Sequence, residues 1–179
     1  MTDSVENSGN SKTVTGLFND SESVERAYEA VSQRGYGTAD INVVMSDATR
    51  RHYFSDDRQI NVKLGRKIEE GGEMGGPMGG TIGTLIPALI AVGVVALPGL
   101  GLVLAGPVAV ALAAAGATGL AFGLMGALSD WGIPEERAKQ YETGIQEGGI
   151  LMGVRARSDE DARHFKQQWE AIGGKYVHS

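Results

Sequence analysis

The chain of 179 residues contains no cysteine and few histidines. Without cysteine there are no disulfide bonds, thiol nucleophiles or cysteine-ligated zinc ions. His52, His164 and His178 are far apart and lack the spacing of metal ligands. The glycine-rich stretch 71–76 is not followed by the Lys-Ser or Lys-Thr pair of a phosphate-binding loop. We therefore expect no catalytic residues, no metal site and no cofactor.

Charge is absent from a long internal part of the chain. Residues 74–129 include no Asp, Glu, Lys or Arg, so all 16 basic and 22 acidic residues lie in 1–73 and 130–179. The mean hydropathy of −0.11 therefore averages two polar pieces with one apolar piece, which we call the charge-free segment (74–129). A net charge of −6 with mixed signs argues against a nucleic-acid partner.

The polar piece before the charge-free segment predicts a disordered tail (1–12) and then a β-α-β unit. Residues 13–18 are short, β-branched and aromatic, as in a strand. Asn19 is the expected N-cap of a helix, with Glu22 three residues later. One apolar face of that helix consists of Val24, Ala27, Tyr28 and Val31. Alternation from Ile41 to Met45 predicts the second strand.

Residues 47–73 are polar and of mixed charge, and we interpret them as a loop with some regular structure near 59–64. Six basic residues lie within 47–67, namely Arg50, Arg51, Arg58, Lys63, Arg66 and Lys67. They can attract anionic lipid head groups, or they form a solvated surface whose positive charge is reduced by nearby aspartates. A short string with metal-binding residue types, His52, Tyr53, Asp56 and Asp57, has no second cluster to support it, so we interpret it as a solvated loop.

The last 50 residues predict a helix followed by a second β-α-β unit. The helix begins at Ile133-Pro134-Glu135-Glu136 and buries Ala138, Tyr141 and Ile145. A strand follows over 150–156, and Ser158 with Asp161 resembles a capping box. The next helix buries Ala162, Phe165, Trp169 and Ile172 and ends at Gly173-Gly174. Residues 175–178 form the last strand.

Two such units predict an α+β fold, a ferredoxin-like split β-α-β sandwich with both helices on one face of an antiparallel sheet. The first unit with its linker occupies 13–73, and the extra helix with the second unit occupies 130–179. The charge-free segment falls between the second and third strands. Both of its ends must return to the same side of the sheet, which favours a helical hairpin.

Within the charge-free segment, Pro98-Gly99-Leu100-Gly101 is the expected turn. Helices over 82–97 and 108–128 would be about 24 and 32 Å long, and the second matches the thickness of a bilayer. Pro107 suits the first turn of the second helix. Small residues recur every four positions, so these helices would pack closely, as in a glycine zipper. The predicted helix-packing residues are Gly72, Gly76, Gly80, Gly83, Ala111, Ala115, Gly119, Gly123 and Ala127.

Several strings give the chain a family resemblance that covers roughly residues 13–178. They are Thr13-Val14-Thr15-Gly16-Leu17-Phe18-Asn19-Asp20, Gly35-Tyr36-Gly37, Ala96-Leu97-Pro98-Gly99-Leu100-Gly101, Ala105-Gly106-Pro107, Gly132-Ile133-Pro134-Glu135-Glu136, Tyr141-Glu142 and Gly148-Gly149-Ile150-Leu151. The order of these strings resembles that of bacterial heat-induced or general stress proteins of the YflT-like kind. The resemblance implies a stress-response role without enzymatic activity, and it transfers no catalytic residue.

Two functional expectations follow from the charge-free segment. The first is a non-enzymatic, cytoplasmic stress protein whose glycine-zipper hairpin associates with the inner membrane and self-assembles. The second is a soluble homo-oligomer that buries its apolar hairpins in a central hub. Both rest on the rule that a helix apolar on all sides is buried in lipid or in protein. Homo-oligomers are expected in both cases, and membrane lipid is a partner only in the first.

Overall fold

The computed structural model describes residues 12–54, 94–97, 101–109, 128 and 133–179. Within these ranges the chain forms a mixed α/β domain around one antiparallel sheet. The strands are β1 (Thr13–Phe18), β2 (Ile41–Ser46), β3 (Val94–Leu97), β4 (Leu102–Ala105), β5 (Ile150–Arg155) and β6 (Lys175–His178). The helices are α1 (Ser21–Ser32), α2 (Asp47–Phe54), α3 (Glu135–Gln146) and α4 (Asp159–Ile172).

The sheet has the strand order β3-β4-β2-β5-β1-β6, and every neighbouring pair is antiparallel. The longest pairing joins β1 to β5, from Thr13 opposite Arg155 to Phe18 opposite Ile150. The predicted units β1-α1-β2 and β5-α4-β6 are confirmed, as is α3 before the second unit. Each unit places one strand in the centre of the sheet, which brings residues from the two ends of the chain together.

Helices α1 and α4 cover one face of the sheet, as their apolar spacing predicts. Val24, Ala27 and Val31 of α1 are fully buried, and Ala162, Phe165 and Trp169 of α4 are at most 1% exposed. The indole nitrogen of Trp169 donates to the Ala27 carbonyl at 3.1 Å. This hydrogen bond gives a partner to the indole N–H of Trp169, the largest fully buried side chain, and it links α4 to α1.

The opposite face of the sheet is also covered. Ala138, Tyr141 and Ile145 of α3 pack there against Leu17, Val44 and Leu151, together with Leu104, Ala109, Leu128 and Ile133. Leu104, Ala109 and Leu128 belong to the charge-free segment and are at most 1% exposed. The described residues of that segment on this face therefore complete a second core inside the domain.

The prediction of helix for Val94–Leu97 is wrong, because these residues form β3, which pairs with β4. Apolar periodicity does not distinguish a buried strand from a buried helix, and β-branched residues such as Val94 and Val95 favour the strand. The predicted turn lies between these two strands, and Gly101 has φ of +62°. Residues 107–109 are helical, in agreement with the expected start at Pro107. Leu128, the last residue of the second predicted helix, is also helical. The rest of the two predicted helices, and all nine predicted helix-packing residues, lie outside the described ranges.

Three further predictions are corrected, near α1, near α2 and at the start of β1. The N-cap of α1 is Asp20 rather than Asn19, and an Asp20 carboxylate oxygen accepts from the Ser23 amide at 2.7 Å. Residues 47–54 are helical rather than a loop, because Ser46 accepts from the Thr49 amide at 3.0 Å. Lys12, assigned to the disordered tail, is ordered, and its carbonyl accepts from Ala156 at 2.9 Å.

Candidate functional site

Of the string His52, Tyr53, Asp56 and Asp57, the first two residues lie in the last turn of α2. His52 and Tyr53 are exposed, and their rings meet edge to face at 4.7 Å. Within the ranges that the structure describes, no three His, Asp or Glu side chains lie close enough together to hold a metal ion. Asp56 and Asp57 lie outside those ranges, as do Arg58, Lys63, Arg66 and Lys67. Of the predicted basic surface, Arg50 and Arg51 are seen, and both pair with Asp47.

A polar cleft of about 230 Å³ lies between α3, the end of β1 and the start of β6. Its α3 side presents Gln140, Thr143, Gly144 and Glu147. These positions are three or four apart, so they share one face of the helix. The remaining lining residues are Leu17, Asn19, Lys175 and Tyr176. We call this site the α3–β6 cleft.

A close approach of α3 to β1 forms the base of this cleft. A Cβ atom placed on Gly144 would lie 2.2 Å from Cδ2 of Leu17, which is shorter than any real contact. Leu17 is 2% exposed and belongs to the second core. Glycine at residue 144 therefore leaves the room that the end of the Leu17 side chain occupies, and a Cβ there would require a shift of Leu17 or of α3.

Tyr176 adopts a conformation that is uncommon for its residue type. Its φ is +53°, in the left-handed region where L-residues other than Gly, Asn and Asp are rare. The pairing of β6 with β1 shifts register there, between Thr15 opposite His178 and Leu17 opposite Lys175. This bulge leaves Tyr176 50% exposed beside the cleft. Strained residues of this kind occur often at functional sites.

A buried hydroxyl pair supports the strained backbone of Tyr176 from below. The Tyr141 hydroxyl donates to the Tyr176 carbonyl at 2.7 Å and lies 3.0 Å from the hydroxyl of Thr15. Tyr141 and Thr15 are both fully buried. Burial raises the pKa of the Tyr141 phenol above its ordinary value, so this side chain stays neutral and acts as a donor. Its role is to position β6.

The α3–β6 cleft contains one group of each charge. Glu147 is the C-cap residue of α3 and Lys175 is the first residue of β6, and both are exposed. Neither has an ion-pair partner within the described part of the chain, where the eight ion pairs involve other residues. The two charges are therefore available to a ligand.

A second polar cluster joins the α1–β2 connection to the start of α4. The Tyr36 hydroxyl donates to Asp161 at 2.7 Å and accepts from the Arg157 amide at 2.7 Å. Arg34 also pairs with Asp161, while the Arg157 guanidinium pairs with Asp40 and lies 4.2 Å from the Tyr36 ring. Because these charged groups pair with one another, they are not available to a ligand, and the cluster links the α1–β2 connection to the start of α4. We call it the Tyr36 clasp.

The sequence did not indicate the α3–β6 cleft. Its residues come from three separate parts of the chain, and none belongs to a recognisable binding motif. The bulge at Tyr176 has no local signal, since Lys175-Tyr176-Val177-His178 is an ordinary strand sequence. Gly144 was the one available sign, because a glycine inside an amphipathic helix indicates close packing or a functional constraint.

Among the described residues, no helix has both the length and the hydrophobicity needed to cross a bilayer.

Comparisons with known proteins give no independent assignment of this site. No family model, no curated protein and no solved structure matches the chain.

Proposed function

We propose that this protein is a non-enzymatic stress-response protein that self-assembles through its charge-free segment. The observation that carries the proposal is the complete absence of Asp, Glu, Lys and Arg over residues 74–129. The remaining domain of about 120 residues is too small to bury by itself the apolar helices predicted for the parts of this segment other than β3 and β4. Such helices require lipid or further copies of the protein around them.

The proposal includes a ferredoxin-like core. Strands β2, β5, β1 and β6 lie in the order 2-3-1-4 when numbered within the two β-α-β units, and α1 and α4 share one face. That order and the split β-α-β connections are those of the ferredoxin-like sandwich. The charge-free segment would then be an insertion between the second and third core strands, with β3 and β4 as its extension of the sheet.

Membrane association at the cytoplasmic side of the inner membrane is the first form of the proposal. It is supported by the small residues that recur every four positions, including Gly119 and Gly123, since such spacing is typical of helix pairs in lipid. The basic residues that precede the segment would face anionic head groups. In this form the folded domain remains in water and the insertion contacts lipid.

A soluble assembly is the second form, and one observation favours it. Residues 102–105, Ala109 and Leu128 all belong to the charge-free segment, yet each is at most 3% exposed in the domain's own protein core. A segment that already packs on protein at these points can pack on protein in neighbouring copies as well. The apolar helices would then meet in a central hub without lipid.

The mass of the purified protein with and without detergent separates the two forms. A sharp oligomer without detergent supports the soluble hub, whereas recovery only in detergent, with flotation on anionic vesicles, supports membrane association. The double substitution Gly119→Leu and Gly123→Leu should disrupt the assembly in either case, because bulky side chains block close helix approach. Gly37→Leu is the control, since a Cβ at Gly37 meets nothing within 4 Å. A native protein that is monomeric both with and without detergent would contradict the proposal.

A further inference from the structure

We propose that the α3–β6 cleft binds a small zwitterion of amino-acid size, which carries an ammonium group and a carboxylate on one molecule. This function is separate from self-assembly, because every lining residue lies outside the charge-free segment. The proposal rests on the charges of the cleft, the end of helix α3 and the strained Tyr176.

The two charges of the cleft can serve opposite ends of such a ligand. Lys175 would hold the carboxylate, and Glu147 would hold the ammonium group. The two side chains do not pair with each other, although both line the same cleft. A ligand with a single charge would satisfy one side chain only, whereas a zwitterion satisfies both and leaves the net charge unchanged.

The end of α3 adds to the preference for an ammonium group near Glu147. A helix C-terminus carries partial negative charge and is normally complemented by Lys, Arg or His. The last turn of α3 has no basic residue, and its C-cap is an acid. The carboxylate and the helix end therefore attract a cation together, and within the described residues no protein cation pairs with Glu147.

The remaining lining residues suit the neutral parts of the ligand. Asn19, Gln140 and Thr143 are exposed polar side chains that can donate or accept hydrogen bonds. The Thr143 hydroxyl donates to the Lys139 carbonyl at 3.0 Å, which leaves its oxygen free to accept. Tyr176, which is 50% exposed, supplies aromatic surface. A volume of about 230 Å³ accommodates a single amino acid.

Two contacts hold Tyr176 in place beside the cleft. The bulge turns this residue out of the β6 ladder, and the buried Tyr141 hydroxyl fixes its carbonyl. Edge-to-face contact between the two rings, with centroids 6.5 Å apart, restricts the Tyr176 side chain further. A regular β6 strand would lack this backbone conformation, so we infer that the strain is kept because it places Tyr176 beside the ligand.

Titration of the ¹⁵N-labelled full chain with L-alanine, propionate and ethylamine tests the proposal. Propionate and ethylamine are L-alanine without its ammonium and without its carboxylate. We expect saturable amide shifts at Glu147, Lys175 and Tyr176 with L-alanine, at roughly millimolar affinity, because the cleft is small and open. Each of the two deletion analogues should bind at least tenfold more weakly. Equal shifts from all three molecules, or shifts that do not saturate, would overturn the proposal.

Variants locate the binding site. Glu147→Gln and Lys175→Gln should each weaken L-alanine binding at least fivefold. Glu147→Gln should also reduce the advantage of L-alanine over propionate, and Lys175→Gln its advantage over ethylamine. Because both residues are exposed, neither substitution disturbs a packed core. Glu170→Gln, at an exposed position of α4, is the matched control and should bind as the original chain does. Undiminished binding in both cleft variants would show that the zwitterion site is elsewhere and would reject the assignment.

Discussion

At the scale of single residues, Tyr176 is the position where local preference and structure disagree most. A non-glycine residue at φ of +53° costs roughly 1–2 kcal/mol relative to an unstrained conformation. The Tyr141 hydroxyl bond and the ring contact compensate for part of this cost. Tyr176 is therefore held by its surroundings, and its own backbone preference opposes the bulge.

Comparison of Tyr176→Gly with Tyr176→Ala measures this strain directly, because both substitutions remove the ring. In an ordinary strand, glycine is less stable than alanine by about 0.5–1 kcal/mol. We expect the reverse order here, with the Gly variant more stable by about 1 kcal/mol in urea denaturation. The same pair of substitutions at exposed Arg155 of β5 is the control and should show the ordinary order. If the Tyr176→Gly variant were no more stable than the Tyr176→Ala variant, Tyr176 would be unstrained in solution.

At the scale of secondary structure elements, amphipathic helices could be predicted from the sequence and the sheet extension could not. The apolar faces of α1, α3 and α4 each meet one side of the sheet, so 3.6-residue periodicity carries the information. Strands β3 and β4 lie in a segment where nearly every residue is apolar, so no periodicity distinguishes strand from helix. Strand β4 pairs with β2, more than 50 residues earlier in the chain, and β3 pairs with β4. No local pattern contains the pairing with β2, on which both assignments depend.

The cleft was missed for a related physical reason. Its lining comes from β1, α3 and β6, which meet only after the sheet has closed. Periodicity could predict that α3 packs on the sheet, but the distance of that packing depends on Gly144. Amphipathic patterning indicates which face of a helix is buried, whereas a glycine within that face decides how closely it approaches its neighbour.

Gly144→Ala tests how strictly α3 is positioned. Alanine in place of glycine usually stabilises a helix by about 1 kcal/mol. Here the new Cβ would overlap the end of the Leu17 side chain, which is 2% exposed and packed in the second core, so we expect a loss of about 1–3 kcal/mol in thermal or urea unfolding. Because Leu17 or α3 must shift to make room, the amide signals of the cleft should also shift.

Two controls accompany the Gly144→Ala measurement. Gly37→Ala places a Cβ where nothing lies within 4 Å, so it should change stability by no more than about 0.5 kcal/mol. Leu17→Val shortens the clashing side chain, so combining it with Gly144→Ala should recover part of the loss, a non-additive result. Stabilisation by Gly144→Ala alone would show that α3 lies farther from β1 than the structure indicates.

At the scale of the whole molecule, the described residues form two cores on one sheet. The core beneath α1 and α4 is built mainly from the two charged parts of the chain. The core beneath α3 combines residues of those parts with residues of the charge-free segment. The segment is therefore joined to the domain through packing as well as through covalent connection.

The stability of the whole molecule should decrease at acid pH in two separate windows. Burial, with Arg137 and Lys166 nearby, lowers the pKa of His178 from its ordinary 6.5. The unfolded chain thus takes up a proton before the folded one, and stability declines below about pH 6.5. Hydrogen bonds from Tyr36, Arg34 and Ser158 lower the pKa of Asp161 from 3.8. The contribution of Asp161 to the free energy of unfolding is complete above its pKa in the unfolded chain. It is lost as the pH falls through its lower pKa in the folded chain.

Urea midpoints measured from pH 8 to pH 3 test these windows, because each has its own variant. His178→Gln should flatten the decline that begins near pH 6.5. Asp161→Asn should cost about 1–3 kcal/mol at pH 7 and flatten the decline near pH 4 and below, because it removes the charged acceptor of Tyr36 and Arg34. Asp159→Asn, in the same turn of α4, removes only an exposed pair with Lys12 and should cost under about 1 kcal/mol. If Asp161→Asn and the original chain lost stability in parallel below pH 5, the Tyr36 clasp would not be the source of the acid sensitivity.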